Sequence, residues 1–152
     1  MTQLEELIAR EAIRDLLARY CAAFDDQDWE SWEKIWTEDV VWVVDGEPLE
    51  GLEAVRAFMT TCLPSGYRGK HMCSNPVIEL TPEGTRATAK TDVVWIAQNF
   101  ENTIVGRYVD TLVNHDGGWL ISRREEWTIA HRPGPPPVSE AVATLSGPNM
   151  RA

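Results

Sequence analysis

With 152 residues, 43% of them hydrophobic and seven of them Trp, the chain is long enough for one domain closed around a cavity and too short for two ordinary ones. A formal net charge of −10 and a pI near 4.7 exclude a nucleic-acid backbone or an anionic membrane surface as partner, since like charge repels both. No apolar run is long enough to span a membrane, and the opening MTQLEELIARE is acidic and amphipathic where a signal peptide is basic and then apolar.

Leu4, Leu7, Ile8, Ile13, Leu16, Leu17, Cys21 and Phe24 recur at three- and four-residue spacing, which predicts a first amphipathic helix with one buried face. Tyr20 and Phe24 share that stripe, and Asp25 follows directly where the helix must end. Asp28 caps a short second helix from about Trp29 to Trp36. Asp39 to Asp45, DVVWVVD, reads as a strand followed by a turn at Gly46, Glu47 and Pro48. Gly51 to Leu63 regains helical spacing and is stopped by Pro64 and Gly66.

Extended stretches follow at Lys70 to Leu80, Thr85 to Asn99 and Thr103 to His131, the last with an internal break. Turn residues separate them at Pro82 to Gly84, Asn99 to Asn102 and Asp116 to Gly118. These elements predict an α+β fold in which a curved antiparallel sheet of four to six strands wraps around N-terminal helices. The domain is expected over 1–132, and the Pro-rich segment 133–152 as an extended tail.

Chemistry centres on His71. Alternation along a strand puts it on one face with Cys73 and Asn75, and a neutral imidazole there can take a proton if a carboxylate holds its other nitrogen. Asp25 is the candidate carboxylate, with Asp26 as the alternative. The same residues also fit a core His satisfied by a backbone carbonyl and an Asp that merely ends a helix. Trp95 shares a strand face with Val93 and Ala97, which suits either an aromatic pocket or core packing. Arg123 and Arg124 point to opposite faces; one can hold an anion, and one can pair with Glu125 or Glu126 outside. Asp92, Asn99, Tyr108 and Asp110 are polar strand positions that can face a cavity or serve sheet contacts. His115 and His131 have no evident catalytic setting.

Cys21, Cys62 and Cys73 are odd in number and lack CxxC spacing, which fits free thiols in a reducing cytoplasm. The His spacing predicts no metal site, and no Gly-rich phosphate loop is present, so neither a metal nor a cofactor is expected.

The segments AREAIRDLLARY (Ala9 to Tyr20), FDDQDW (Phe24 to Trp29), IWTEDVVW (Ile35 to Trp42) and GRYVDTLVNHDGGW (Gly106 to Trp119) together resemble the SnoaL-like family. The order of elements is similar to the cone-shaped fold shared by nuclear transport factor 2, ketosteroid isomerase and scytalone dehydratase. That resemblance implies a proton-abstracting pair at Asp25 and His71. Among relatives the layout is most similar to lindane dehydrochlorinase, which implies pocket roles for Trp42 and Arg124, the latter toward a departing anion. Tyr20 stands where that enzyme has a Lys. Bile-acid dehydratases of the superfamily have a Tyr five residues before the Asp, which implies an oxygen leaving group or a polarised carbonyl.

The expectation is therefore a cofactor-independent lyase or isomerase acting on a small hydrophobic cyclic substrate. His71, Asp25, Tyr20 and Arg124 are its catalytic candidates, and Trp42, Cys73, Trp95 and Phe24 its substrate contacts. A noncatalytic ligand-binding module, or the structural small subunit of a ring-hydroxylating dioxygenase, is the other class this fold serves. An incompletely polar outer sheet face, with Trp119, Ile121, Trp127 and Ile129 assigned to one side and a row of Val105, Val109 and Val113 beside it, predicts a homodimer or homotrimer.

Overall fold

A computed structural model describes residues 1–63, 66–100, 102–115 and 118–133. The segment read as a tail lies outside them except for Pro133, and so do Pro64, Asp116 and Gly117, of which the last two were read as turn residues.

Helix α1, Gln3–Asp26, opens on a capping box in which the Thr2 hydroxyl accepts the Glu5 N–H and the Glu5 carboxylate accepts the Thr2 N–H. It ends where Gln27 turns left-handed at φ 56°. Its buried stripe is Ile13, Leu16, Leu17, Tyr20, Ala23 and Phe24. Leu4, Leu7 and Ile8, expected in that stripe, are exposed; only the C-terminal two-thirds of α1 lies on the sheet.

Asp28 caps α2, Trp29–Glu33, by accepting the Ser31 N–H at 3.1 Å. This helix is shorter than expected, because Trp36 already belongs to strand β1, Trp36–Val44. A turn at Asp45 and Gly46, both at positive φ, folds β1 back onto β2, Glu47–Glu50. Glu47 and Pro48, read as turn residues, are therefore in a strand. Pro48 is tolerated because β2 is an edge strand.

Helix α3 spans Leu52–Cys62. The stretch read as one strand from Lys70 is two, β3 (Gly69–Cys73) and β4 (Val77–Leu80), parted before Pro76; both pair with β5, Arg86–Ala97. A single 3-10 turn, Gln98–Phe100, leads to β6, Asn102–His115, and β7, Gly118–Pro133.

The sheet runs β2-β1-β7-β6-β5-β3, with β4 also on β5. It is curved and unclosed, as the fold class requires, yet mixed: β1 pairs with β7 in parallel, so the antiparallel meander holds from β3 to β7 only.

Register shifts between Thr111 and Leu112 and between Val105 and Gly106 mark two bulges in β7, at Ser122 and Ile129. Each adds one residue and exchanges the faces beyond it. Trp119 and Ile121 are consequently in the core, whereas Trp127 and Ile129 are 47% and 63% exposed. Simple alternation had put all four on one face. The inward series continues instead through Arg124, Glu126 and Thr128. At the base of the cone Trp32, Trp36 and Trp42 stack, with centroids 5.1 Å apart for Trp32–Trp36 and for Trp36–Trp42. That cluster joins α2 to β1 beneath the site.

Candidate active site

The last turn of α1 sets Asp25 against β3, and both carboxylate oxygens bind one residue. Oδ1 lies 2.6 Å from His71 Nδ1, and Oδ2 accepts the His71 backbone N–H at 3.0 Å. The side chains are 2% exposed for His71 and 4% for Asp25. A carboxylate accepts, so in the neutral imidazole this contact favours the tautomer with its proton on Nδ1 and its lone pair on Nε2. Nε2 sits 3.3 Å from the Tyr108 hydroxyl, which donates to it in that tautomer. The edges of Phe24 and Tyr20 hold the imidazole plane, with centroids at 5.1 and 5.6 Å. Asp26 points outward to Lys70 Nζ at 3.3 Å. Of the adjacent pair it is Asp25 that bonds His71.

A cavity of about 320 Å³ opens beside the imidazole, between α1, α3 and the concave sheet face. Its walls are largely apolar: Phe24, Trp42, Phe58, Met59, Trp95 and Ile104 among others. This size and lining suit one small, mostly apolar ligand. Two glycines shape it. Gly69 is where the Trp95 ring crosses β3, and a Cβ there would overlap that ring and the Ile96 carbonyl. Gly106 lies at the second bulge, where a Cβ would come within 2.9 Å of the Trp127 carbonyl.

Phe24, Trp42 and Trp95 thus line the cavity as expected, and so do His71 and Tyr20. Cys73 does not. It follows His71 by one strand repeat, but α1 separates it from the cavity, and it borders a second cleft with Cys21. Arg124 is also outside the cavity wall. It is fully buried and grips Asp110 through two bonds of 2.7 and 2.9 Å, from Nε and Nη2. Its guanidinium lies 4.0 Å from the Tyr20 ring centroid and 4.2 Å from that of Tyr108. Arg124 therefore reaches the cavity only through these two rings. Burial is the strongest single influence and opposes its charge, but Asp110, through charge and hydrogen bond, together with Tyr20 and Tyr108 pushes its pKa up on balance. Burial also raises both tyrosines well above the ordinary phenol value, so their hydroxyls stay protonated.

Three residues of the wall were missed or set aside in the sequence. Tyr108, left open between the cavity and a sheet contact, is the group facing Nε2. Glu125 and Glu126 were the alternative outside partners for an Arg; Arg123 takes Glu125 at 3.0 Å, while Glu126 turns inward and accepts the Trp42 indole N–H at 3.1 Å. Burial raises the Glu126 carboxyl above its usual value. His131 joins the polar rim, with Nε2 3.3 Å from Asn102 Oδ1, while Asn102 donates to the Tyr67 hydroxyl at 3.0 Å. Counting alternate positions onward from the bulge at Ser122 would have found Glu126. Nothing local marks His131. Asp92 pairs with Arg107 on the outside, His115 ends β6 at the surface, and the Asn99 side chain lies outside the described residues. Among the described residues no three His, Cys, Asp or Glu side chains are placed to hold a metal ion. No described helix is long and apolar enough to cross a membrane.

A cone of helices and curved sheet around one apolar cavity defines a protein of the nuclear transport factor 2-like fold. Within it, the model of the SnoaL-like domain matches residues 5–125, and the chain belongs to that family. No curated protein sequence matches the chain. Among solved structures, a hexachlorocyclohexane dehydrochlorinase of type 2 is 20% identical, with 89% of this chain and 95% of that one covered and a TM-score of 0.78. A protein from Novosphingobium aromaticivorans assigned as a scytalone dehydratase is 22% identical, covering 89% and 97%, with a TM-score of 0.77. The β subunit of an assigned aromatic-ring-hydroxylating dioxygenase from the same organism is 21% identical, covering 84% and 93%, with a TM-score of 0.69. At these identities the likeness is one of fold, and the fold serves enzymes and a subunit alike.

Proposed function

We propose that this chain is a cofactor-independent lyase or isomerase in which His71 removes a proton from a small hydrophobic cyclic substrate. One observation carries the reading: a buried Asp25–His71 pair, bonded through Nδ1, turns its imidazole to an apolar cavity. In the proposed step Nε2 accepts a proton from an acidic C–H, and the imidazolium formed is stabilised by Asp25 through Nδ1. Exclusion of water strengthens that interaction. Negative charge developing on the substrate is met by the Tyr20 and Tyr108 hydroxyls, which remain donors because their pKa values are raised. Arg124, above both rings, draws their electrons and makes each hydroxyl the better donor. Its role is that of a positioning charge, replacing the direct anion contact that the resemblance implied.

Expulsion of water as leaving group needs a proton delivered to oxygen. Glu126, whose carboxyl burial raises above its ordinary value, is the wall residue suited to deliver one. Halide needs none, and in an isomerase the proton returns to another carbon.

Incubation with steroid, polyketide, terpenoid and halogenated-ring compounds in deuterated water tests this, with exchange at the acidic C–H as the readout. His71→Gln should reduce exchange about a hundred- to ten-thousand-fold, the usual general-base contribution, and leave the fold intact. Unchanged exchange in that variant would end the proposal. Ligand retention without exchange in the wild type would instead identify a binding module. The dioxygenase-subunit reading has no use for a buried His–Asp pair at a cavity. Three cysteines without CxxC spacing support a cytoplasmic setting. The exposed Trp127 and Ile129, beside half-buried Val105 and Val109, form the face through which we expect a homodimer or homotrimer.

A further inference from the structure

Cys21 and Cys73 come from elements 52 residues apart in sequence, and their sulfur atoms lie 3.5 Å apart. Cys21 is on α1, one turn before Asp25, and Cys73 is on β3, one strand repeat after His71. The two thiols therefore bridge the same helix and strand as the dyad. Cys73 is exposed and Cys21 half-buried. Both border a cleft of about 290 Å³, which shares only Tyr20 and Tyr108 with the apolar cavity and is large enough for a small oxidant. We propose that this pair is a peroxide-sensitive dithiol, which closes to a disulfide and staples α1 to β3 beside the dyad.

The exposures assign the order of events. The bond from Cys21 lowers the Cys73 thiol below its ordinary value, and the same bond together with burial raises Cys21. Cys73 is thus the thiolate that attacks and Cys21 the thiol that resolves. The Cys73 sulfur attacks one oxygen of hydrogen peroxide; an S–O bond forms, the O–O bond breaks, and hydroxide leaves to become water. Cys73 is now a sulfenic acid, its sulfur oxidised by two electrons and the peroxide reduced. Cys21 then loses its proton and attacks that sulfur; an S–S bond forms, the S–O bond breaks, and a second water departs. Closing to the disulfide length of about 2.05 Å takes roughly 1.5 Å of approach, within reach of side-chain rotation about two Cα–Cβ bonds. The staple follows from the thiols alone and does not depend on what the dyad does.

The full chain, reduced and then treated with stoichiometric hydrogen peroxide, should lose two of its three thiols to alkylation. Non-reducing peptide mapping should show Cys21 joined to Cys73 with Cys62 alkylated, and dithiothreitol should restore all three. The oxidised chain should melt on the order of 5 °C higher, as a cross-link over a long loop stabilises. In Cys21→Ser the reaction should stop at a Cys73 sulfenic acid that dimedone traps. Three thiols after treatment, a link through Cys62 between molecules, or Cys73 driven to sulfinic acid while Cys21 stays alkylatable would each overturn the proposal.

Discussion

Asp25→Asn separates the two jobs of the carboxylate, because it keeps the shape and removes one acceptor. In the native site Oδ1 serves the imidazole Nδ1–H and Oδ2 serves the His71 backbone N–H. An amide offers one oxygen and one NH2. If the oxygen stays with Nδ1–H, the NH2 faces a buried backbone N–H and leaves it unpaired, at about 1–3 kcal/mol. If the oxygen turns to the backbone, the NH2 donates to Nδ1 and the ring proton moves to Nε2. A tautomer exchange costs far less than an orphaned N–H, and Nε2–H can donate to the Tyr108 oxygen at 3.3 Å.

The second arrangement therefore wins, and the base is lost while the fold survives. Losing the charge-assisted bond costs about 1 kcal/mol, a fall of roughly 2–4 °C in Tm for a chain of this size. Turnover should drop about a hundred- to ten-thousand-fold, in line with the roughly 10⁴-fold loss that the same exchange causes in serine-protease triads. Long-range 1H–15N correlation of the His71 ring reads the tautomer without any substrate. A variant ring still protonated on Nδ1, with unchanged Tm, would refute the reasoning.

Arg124→Ala should destabilise the chain by about 3–5 kcal/mol in urea unfolding, since it strands the Asp110 carboxylate in the core. Pairing it with Asp110→Leu should recover most of that loss. Glu126 binds its proton more tightly folded than unfolded, so wild-type stability should decline as pH rises from the ordinary 4.5 through the raised value and then level off. In Glu126→Gln that decline should vanish, while the amide oxygen still accepts from Trp42. Gly69→Ala should cost about 1–3 kcal/mol and alter the cavity, because the new methyl displaces the Trp95 ring; a melt and ligand binding check both. Light scattering at micromolar concentration should give a dimer or trimer mass, and a Trp127→Lys variant of the outer face should shift it to monomer.

The helices and hairpins were legible because their signals are local. Period, caps and turn residues place α1, α2, α3 and β5 within a few residues of where they lie. What escaped depends on partners distant in the chain. Nothing in DVVWVV says that β1 will lie parallel to β7, since a strand carries the same side-chain alternation in either direction. The edge strand β2 hid behind Pro48, whose missing N–H matters only where a neighbour would need it. The exposed Leu4, Leu7 and Ile8 obey the helical period as faithfully as the buried Ile13 and Leu16; the period reports an apolar face, and the sheet's extent decides how much of it is covered.

The site divides along the same line. Asp25 and His71 were found by resemblance and by position in their elements, and Phe24, Trp42 and Trp95 by their apolar faces. Alternation failed wherever geometry departs from a flat ladder. It put Cys73 in the cavity with His71, although β3 runs out from under the cavity within two residues and into the cleft with Cys21. It also carried no information across Ser122, where the bulge turns Arg124, Glu126 and Thr128 inward. With that residue absorbed in the bulge, Arg124 lies over two tyrosine rings and a carboxyl stands in the apolar wall. Without the bulge, Arg123 and Glu125 would face inward, and the pair now joined at the surface would occupy the cavity in their place. Deleting Ser122 would instead restore a regular ladder, with Ile121 opposite Leu112, Arg123 opposite Thr111 and Arg124 opposite Asp110, and would leave Arg124 and Glu126 inward. The chemistry available to His71 therefore depends on the slip of register that absorbs Ser122 as well as on Asp25.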